Sequence, residues 1–179
     1  MTGTETLWKV PLQVDEVPEG GTHRNLEADA ATRAAVARTA GLVELPRLVA
    51  QLDIRRRGAD ELQVTGTVSA TVVQTCVVTL EPVTNTVEEP VDLGFAPPSD
   101  KPPPEPDPDV DPSELPDPPE ALVNGTVDLG ALAVEFLLLG LDPYPRKPDA
   151  VFSAPAAEEP SASPFAALAA LKGKPEKES

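Results

Sequence analysis

The chain has only one cysteine and one histidine, Cys76 and His23, among its 179 residues. A single cysteine cannot form a disulfide within the chain, so a reducing compartment is expected. Structural zinc sites are typically built from four cysteine or histidine ligands, and carboxylates would have to complete such a site here. We therefore expect neither a metal ion nor another cofactor.

Aromatic side chains are also scarce, with one tryptophan, one tyrosine and four phenylalanines against 23 prolines. Valine, leucine and alanine must then form a small core, and the prolines imply long segments that are neither helix nor strand. The longest apolar run, residues 129–141, is too short to span a bilayer and contains Glu135. Since the first residues do not resemble a signal peptide, we expect a cytoplasmic protein without a membrane segment.

Basic residues are outnumbered, because 14 lysines and arginines stand against 30 aspartates and glutamates, giving a net charge of −16. A surface that neutralises phosphates needs the opposite sign, so this charge disfavours a general nucleic-acid-binding surface. Eight acidic residues lie in the segment 100–120, which is too rich in proline to fold. We expect a disordered acidic loop over residues 97–120. The remaining charge suits either a basic partner or solubility alone.

The apolar patterning predicts an α+β fold in which a small antiparallel sheet is flanked by helices. Alternation of apolar residues predicts four strands, over residues 7–14, 42–55, 62–75 and 81–95, the second with a break at Pro46. Two helices are predicted in the domain, one over 26–39 with Asn25 as N-cap and Gly41 at its end, the other over 128–140 with Thr126 or Asp128 as its cap. The domain should span residues 1–149, followed by a linker and tail over 150–179.

The densest basic cluster is Arg55, Arg56 and Arg57, in a predicted turn between two strands. Three adjacent arginines at an exposed turn can reach backbone phosphates without reading sequence. No aromatic side chain lies nearby in the sequence to stack bases, as readers of single strands require. The cluster is a candidate RNA contact, and a solvated hairpin tip is the alternative.

Cys76 lies at the end of a predicted strand, where a C-x-x-C knuckle would continue but for the threonine at position 79. A nucleophilic pair with His23 requires the two side chains to be adjacent in the fold. Neither a glycine nor a helix start flanks Cys76 to depress the pKa of its thiol, so a small buried hydrophobic role is favoured. Since no phosphate-binding glycine loop is present either, we expect no catalytic residues.

Residues 163–172 carry the last pattern, an amphipathic helix that begins at Ser163. A helix of this kind on a linker is typical of docking motifs that fit a groove, and packing back onto its own domain is the alternative. The candidate docking residues are Pro164, Phe165, Leu168, Leu171 and Lys172.

Three blocks of the sequence resemble the YceD family, the large ribosomal RNA subunit accumulation proteins of bacteria and plastids. Residues 76–83 are similar to the family's C-x-x-C-L block, and residues 125–140 to its entry into a glutamate-containing hydrophobic helix. Residues 163–172 are similar to its [NS]-P-F-x-x-L-x-x-L-K ending. The signature residues of the first block are Cys76, Leu80, Glu81 and Pro82. Because Thr79 replaces the second cysteine of many members, a zinc knuckle cannot be transferred to this chain.

The resemblance implies a non-enzymatic factor that supports accumulation of 23S ribosomal RNA and assembly of the large subunit. The expected partner is a basic large-subunit ribosomal protein or a pre-50S particle, with residues 163–172 as an anchor. Two alternatives stay open, namely direct binding of ribosomal RNA through Arg55, Arg56 and Arg57, and a thiol or redox enzyme that uses Cys76. The oligomeric state is not predicted.

Overall fold

The computed structural model describes residues 7–98 and 118–152, which form two sheets and two helices. The strands are β1 (Pro11–Gln13), β2 (Thr22–Glu27), β3 (Glu44–Arg56), β4 (Leu62–Thr75), β5 (Pro82–Ala96), β6 (Glu120–Ala121) and β7 (Thr126–Asp128). The helices are α1 (Ala30–Ala40) and α2 (Leu129–Leu139). A 3₁₀ turn, Val14–Glu16, follows β1.

The larger sheet has the strand order β2-β3-β4-β5-β6, and the smaller one pairs β1 with β7. Neighbouring strands are antiparallel except that β6 runs parallel to β5, at Phe95 and Ala96. Helices and strands do not alternate along the chain in a βαβ manner, so the predicted α+β class is confirmed.

One face of the larger sheet forms the core, because alternate residues of its long strands point to the same side. The register aligns Ile54 of β3 with Val64 of β4, and both side chains are fully buried. Helix α2 packs in the same core through five buried side chains, Leu129, Leu132, Ala133, Val134 and Leu137. The opposite face of the sheet, which we call the outer face, carries polar residues.

Asp128 joins the smaller sheet to the start of α2. Its carboxylate accepts the backbone N–H of Gly130 and of Ala131, each at 3.1 Å, and thereby caps the helix. The same oxygen accepts the N–H of Val10 at 2.9 Å, next to β1. The cap predicted from the sequence is therefore also the point that fixes β1 beside the helix.

The predicted start of the first helix was wrong. Residues 22–27 form β2, which pairs with residues 49–54 of β3, so Asn25 lies in a strand. The helix begins later, and the Asp29 carboxylate caps it by accepting the Thr32 N–H at 2.7 Å. Pairing with a long neighbouring strand prevails over the local helical pattern here. Gly41, at φ +67°, ends the helix as predicted.

Three further boundaries differ from the sequence prediction. The first strand is confined to Pro11–Gln13, because the chain turns into the 3₁₀ helix after it has paired with β7. Pro46 does not break β3, since it lies in an irregularity of the register between Glu44 and Arg47, where no ladder hydrogen bond is needed. Two short strands, β6 and β7, were not predicted. Residues 99–117 and the predicted helix over 163–172 lie outside the described residues.

Gly66 is required where the backbones of β3 and β4 lie too close together for a side chain at this position. Its φ of +151° is rarely adopted by other residues, and an added Cβ would overlap the Gln51 carbonyl oxygen. Gly66→Ala should lower the free energy of unfolding by at least about 2 kcal/mol. Urea unfolding followed by fluorescence of the buried Trp8 measures this change.

Gly94→Ala is the matched control, because a Cβ there would meet its nearest neighbours at 3.7 Å, an ordinary contact. This control should change the free energy of unfolding by less than about 0.5 kcal/mol. Equal unfolding midpoints for the two variants would contradict the steric account of Gly66.

Candidate functional site

The turn between β4 and β5 contains the first block singled out in the sequence. The Cys76 N–H donates to the Glu81 carbonyl at 2.9 Å, and the Leu80 N–H donates to the Cys76 carbonyl at 2.9 Å. Leu80 has φ +60°, in the left-handed region, and its side chain is 76% exposed. These bonds close a tight turn that presents a leucine to solvent.

The segment that follows α2 lies against this turn. The Val77 N–H donates to the Pro145 carbonyl at 2.9 Å, and the Lys147 ammonium contacts the Glu81 carboxylate at 2.6 Å. Gln74, the buried polar residue of the described core, donates through Nε2 to the Asp142 carbonyl at 2.9 Å. Residues 76–81 and residues 142–147 therefore form one structural unit, which we call the thiol turn.

Cys76 is completely buried in the thiol turn. Its Sγ accepts the backbone N–H of Thr79 at 3.5 Å and that of Lys147 at 3.4 Å. Hydrogen bonds from the Thr79 side chain and amide, followed by the Lys147 amide, lower the pKa of the thiol from 9.0 to about 6. The expectation of a thiol with no neighbouring group to depress its pKa was wrong, because the donors are neither a flanking glycine nor a helix start but Thr79, three residues later, and the distant Lys147 amide.

Thr79, which stands where a second thiol would complete a C-x-x-C motif, is used within the turn. Its hydroxyl oxygen accepts the Glu81 N–H at 3.4 Å, while its own N–H points at the Cys76 sulfur. Within residues 7–98 and 118–152, no group of three or more histidine, cysteine or acidic side chains is arranged to hold a metal ion.

His23 lies far from Cys76. Its Nδ1 contacts the Asp53 carboxylate at 3.1 Å on the outer face, and Asp53 pairs with Thr65 of β4. Cys76 is eleven residues beyond Thr65 along the chain, which in an extended strand amounts to about 36 Å. The structure therefore does not bring the two side chains together as a nucleophilic pair.

The arginine cluster lies at the other end of β4, but not wholly in a turn as predicted: Arg55 and Arg56 end β3, where they pair with β4, and only Arg57 lies in the turn that follows. Arg56 donates to the Ala59 carbonyl at 2.6 Å, and the Arg57 N–H donates to the Glu61 carbonyl at 2.8 Å. The same turn exposes the carboxylates of Asp60 and Glu61, so two negative charges accompany the three positive ones. The thiol turn and the arginine turn lie at opposite ends of the sheet.

The outer face of the sheet carries a group of acidic residues that the sequence patterns did not reveal, and we call this group the acidic face. It consists of four exposed carboxylates, those of Glu27, Asp53, Glu88 and Asp92. The register places Asp53 and Asp92 on either side of Thr65, and Glu88 beside Ser69. The residues come from three separate strands, so only the strand pairing brings them together.

Neither helix of the described ranges is long and apolar enough to cross a membrane.

The lowered pKa of Cys76 predicts a pH-dependent stability. Because the folded-state pKa of about 6 lies below the ordinary 9.0, the unfolded state binds more protons between these values. The stabilisation is therefore fully present above pH 9 and is lost as the pH falls to about 6. Urea unfolding under reducing conditions should show wild type gaining stability over Cys76→Ser across this range.

Thr79→Val is the control, since it removes the largest cause of the lowered pKa and keeps the backbone donors. In that variant the pH-dependent gain should begin at a higher pH. A stability difference between wild type and Cys76→Ser that does not vary with pH would refute a thiolate in the folded protein.

A comparison with protein families identifies the chain. The family model described as large ribosomal RNA subunit accumulation protein YceD matches residues 64–172. The match begins in β4 and includes the thiol turn, β5 and α2. No curated protein and no solved structure matches the chain significantly. Since the matched range covers more than half of the sequence, the resemblance is confirmed, and the chain belongs to the YceD family, whose name implies a role in the accumulation of large-subunit ribosomal RNA.

Proposed function

We propose that this protein is a non-enzymatic, cytoplasmic ribosome biogenesis factor that supports accumulation of 23S ribosomal RNA. It acts by binding a basic large-subunit ribosomal protein, either free or on a pre-50S particle. Membership of the YceD family supports the role in accumulation of ribosomal RNA. The acidic face is the observation that supports binding to a basic protein.

The geometry of the acidic face suits a basic protein surface. Asp53 and Asp92 are separated by one intervening strand, which corresponds to about 10 Å. The row between them consists of short hydroxyl side chains on β4, among them Thr65 and Thr67, which leave the carboxylates accessible. Lysine and arginine side chains of a partner can reach several of these carboxylates at once. Charge complementarity of this kind accelerates association and selects partners by sign.

The same face is unsuited to RNA. Its basic side chains are Arg47 and Arg55, which four carboxylates outnumber, so phosphates would be repelled at long range. The strands present no aromatic ring to solvent there, since Phe95 is buried against the core. Stacking platforms and a positive groove are the usual means of binding single strands. A basic protein is therefore the better-supported partner.

Charge reversal tests the acidic face. The double variant Glu88→Lys, Asp92→Lys should reduce co-sedimentation with pre-50S particles in low salt by about tenfold, because it turns attraction into repulsion at the face. The control Asp15→Lys, Glu135→Lys makes the same change in net charge on the side of the sheet that carries β1 and α2. The two variants are compared in sucrose gradients of growing-cell lysates, read by mass spectrometry. Equal co-sedimentation of both variants would overturn the proposed mode of binding.

Replacing Arg55, Arg56 and Arg57 by glutamate distinguishes our proposal from the alternative of direct RNA binding. Under our proposal both co-sedimentation and crosslinking to ribosomal RNA stay close to the wild-type level. Loss of the crosslinks, with the acidic-face variants unaffected, would favour direct RNA binding through the arginine turn.

The thiol-enzyme alternative is tested by alkylation of Cys76. A reactive cysteine needs both a thiolate and access to solvent, and Cys76 has the lowered pKa but no exposed surface. Alkylation at neutral pH should therefore be much slower in the native protein than in urea. Comparable rates in the two conditions would support an accessible, functional thiol.

A further inference from the structure

The exposed apolar side chains of the described residues are concentrated in one place. Nine large ones are exposed by 42% or more, and all but Val123 lie at the end of the sheet that carries the thiol turn or continue from it. We call six of them the apolar end: Val43, Val77, Leu80, Leu138, Leu139 and Tyr144. The other two, Val151 and Phe152, are the last described residues of the chain.

Hydrogen bonds from separate segments establish this placement. The Val43 N–H donates to the Val73 carbonyl at 2.8 Å, close to the end of β4. Val77 is bonded to Pro145, the neighbour of Tyr144, and the Gln74 side chain reaches Asp142 just after α2. The last turn of α2, with its two exposed leucines, ends beside Val87 of β5, since a Cβ added at Gly140 would meet that side chain, and the chain reaches the thiol turn two residues later at Asp142.

Leu80 shows that the apolar character of this end is not incidental. Its left-handed backbone conformation costs a residue with a Cβ about 1–2 kcal/mol, and glycine or asparagine would avoid most of that cost. Its side chain is 76% exposed and therefore gains little from burial in the domain. A leucine at this position is favourable where another apolar surface covers it. Exposed apolar side chains that are grouped in one region generally mark an interaction site.

The chain itself supplies an occupant at this end. Ala150 lines a groove of about 490 Å³ together with Thr79 and Val83, so the chain leaves the described structure beside the thiol turn. In the 27 residues after Phe152, the only large apolar side chains are Phe165, Leu168 and Leu171. Their spacing places them on one side of the predicted helix.

The linker between Phe152 and residue 163 is long enough for the tail to reach the apolar end. Residues 153–162 can span at most about 33–36 Å, which is enough to cross the end of the sheet. A short tether also raises the effective concentration of the tail at this surface to about the millimolar range. A weak apolar contact is then sufficient to hold it.

We propose that residues 163–172 dock on the apolar end of their own domain, with Phe165, Leu168 and Leu171 covering Leu80, Leu139 and Tyr144. This inference goes beyond the proposed function, because it concerns a different surface from the acidic face. It selects intramolecular docking over the anchor role that the sequence leaves equally open.

The test uses the full-length protein and the variant Phe165→Ser, Leu168→Ser. This change should shift the backbone amide resonances of Leu80, Leu139 and Tyr144, because it removes the apolar groups that cover them. The control Ala166→Ser, Ala170→Ser adds two hydroxyls on the opposite side of the predicted helix and should leave these resonances in place. Resonances of the acidic face, such as that of Asp92, should stay unchanged in both variants.

Spectra at several protein concentrations distinguish docking within one chain from occupation of the apolar end by a second copy or by a partner. Docking within one chain gives the same resonance positions at every protein concentration, with the sedimentation coefficient of a monomer. Resonances that move with concentration, together with a dimer in sedimentation, would assign the apolar end to a second copy and overturn the proposal. Identical spectra for wild type and Phe165→Ser, Leu168→Ser would also overturn it, leaving the end free for a partner. Neither result bears on co-sedimentation through the acidic face.

Discussion

The pairing of β4 with β3 on one side and β5 on the other is the constraint on which the rest of the structure depends. β4 is matched to β5 along its whole length, from Leu62 to Thr75, and to β3 along most of it. Because side chains alternate across a strand, this register separates a buried face from an acidic one. It also sends the arginine turn and the thiol turn to opposite ends. Close approach of the strands at Gly66 is part of the same constraint.

The parts of the fold that follow from local pattern could be predicted from the sequence. β4 alternates apolar and polar residues from Leu62 to Val72 with an interruption at Gly66, and α2 combines a broad apolar stripe with the Asp128 cap. β2 could not be predicted, because an edge strand with the sequence Thr-His-Arg-Asn-Leu-Glu has little apolar pattern of its own. Its conformation comes from hydrogen bonds to β3, which local propensity does not contain. The short strands β6 and β7 are set by their partners in the same way.

The candidate site likewise combines features that the sequence shows with features that only the fold brings together. The unusual residues of the thiol turn stand out in the sequence, since the chain has a single cysteine. Part of what surrounds that cysteine is non-local, because the Lys147 amide and the Gln74 bond to Asp142 join segments about seventy residues apart. The lowered pKa of Cys76 has a local cause in the side chain and amide of Thr79, to which the distant Lys147 amide adds. The acidic face is equally non-local, since it needs the register of three strands to bring four carboxylates together.

The thiol turn is held by hydrogen bonds rather than by a pair of thiols, and this has a consequence for the tail. Sulfur, amide and ammonium contacts fix residues 142–147 against the end of the sheet. The point at which the chain departs toward residue 163 is therefore fixed relative to Leu80 and Leu139. A tether with a fixed origin restricts the surfaces that the tail can reach, and a low loop-closure cost favours the nearest apolar one. The buried cysteine therefore helps to hold residues 142–147 at the end of the sheet from which the chain leads to residues 163–172.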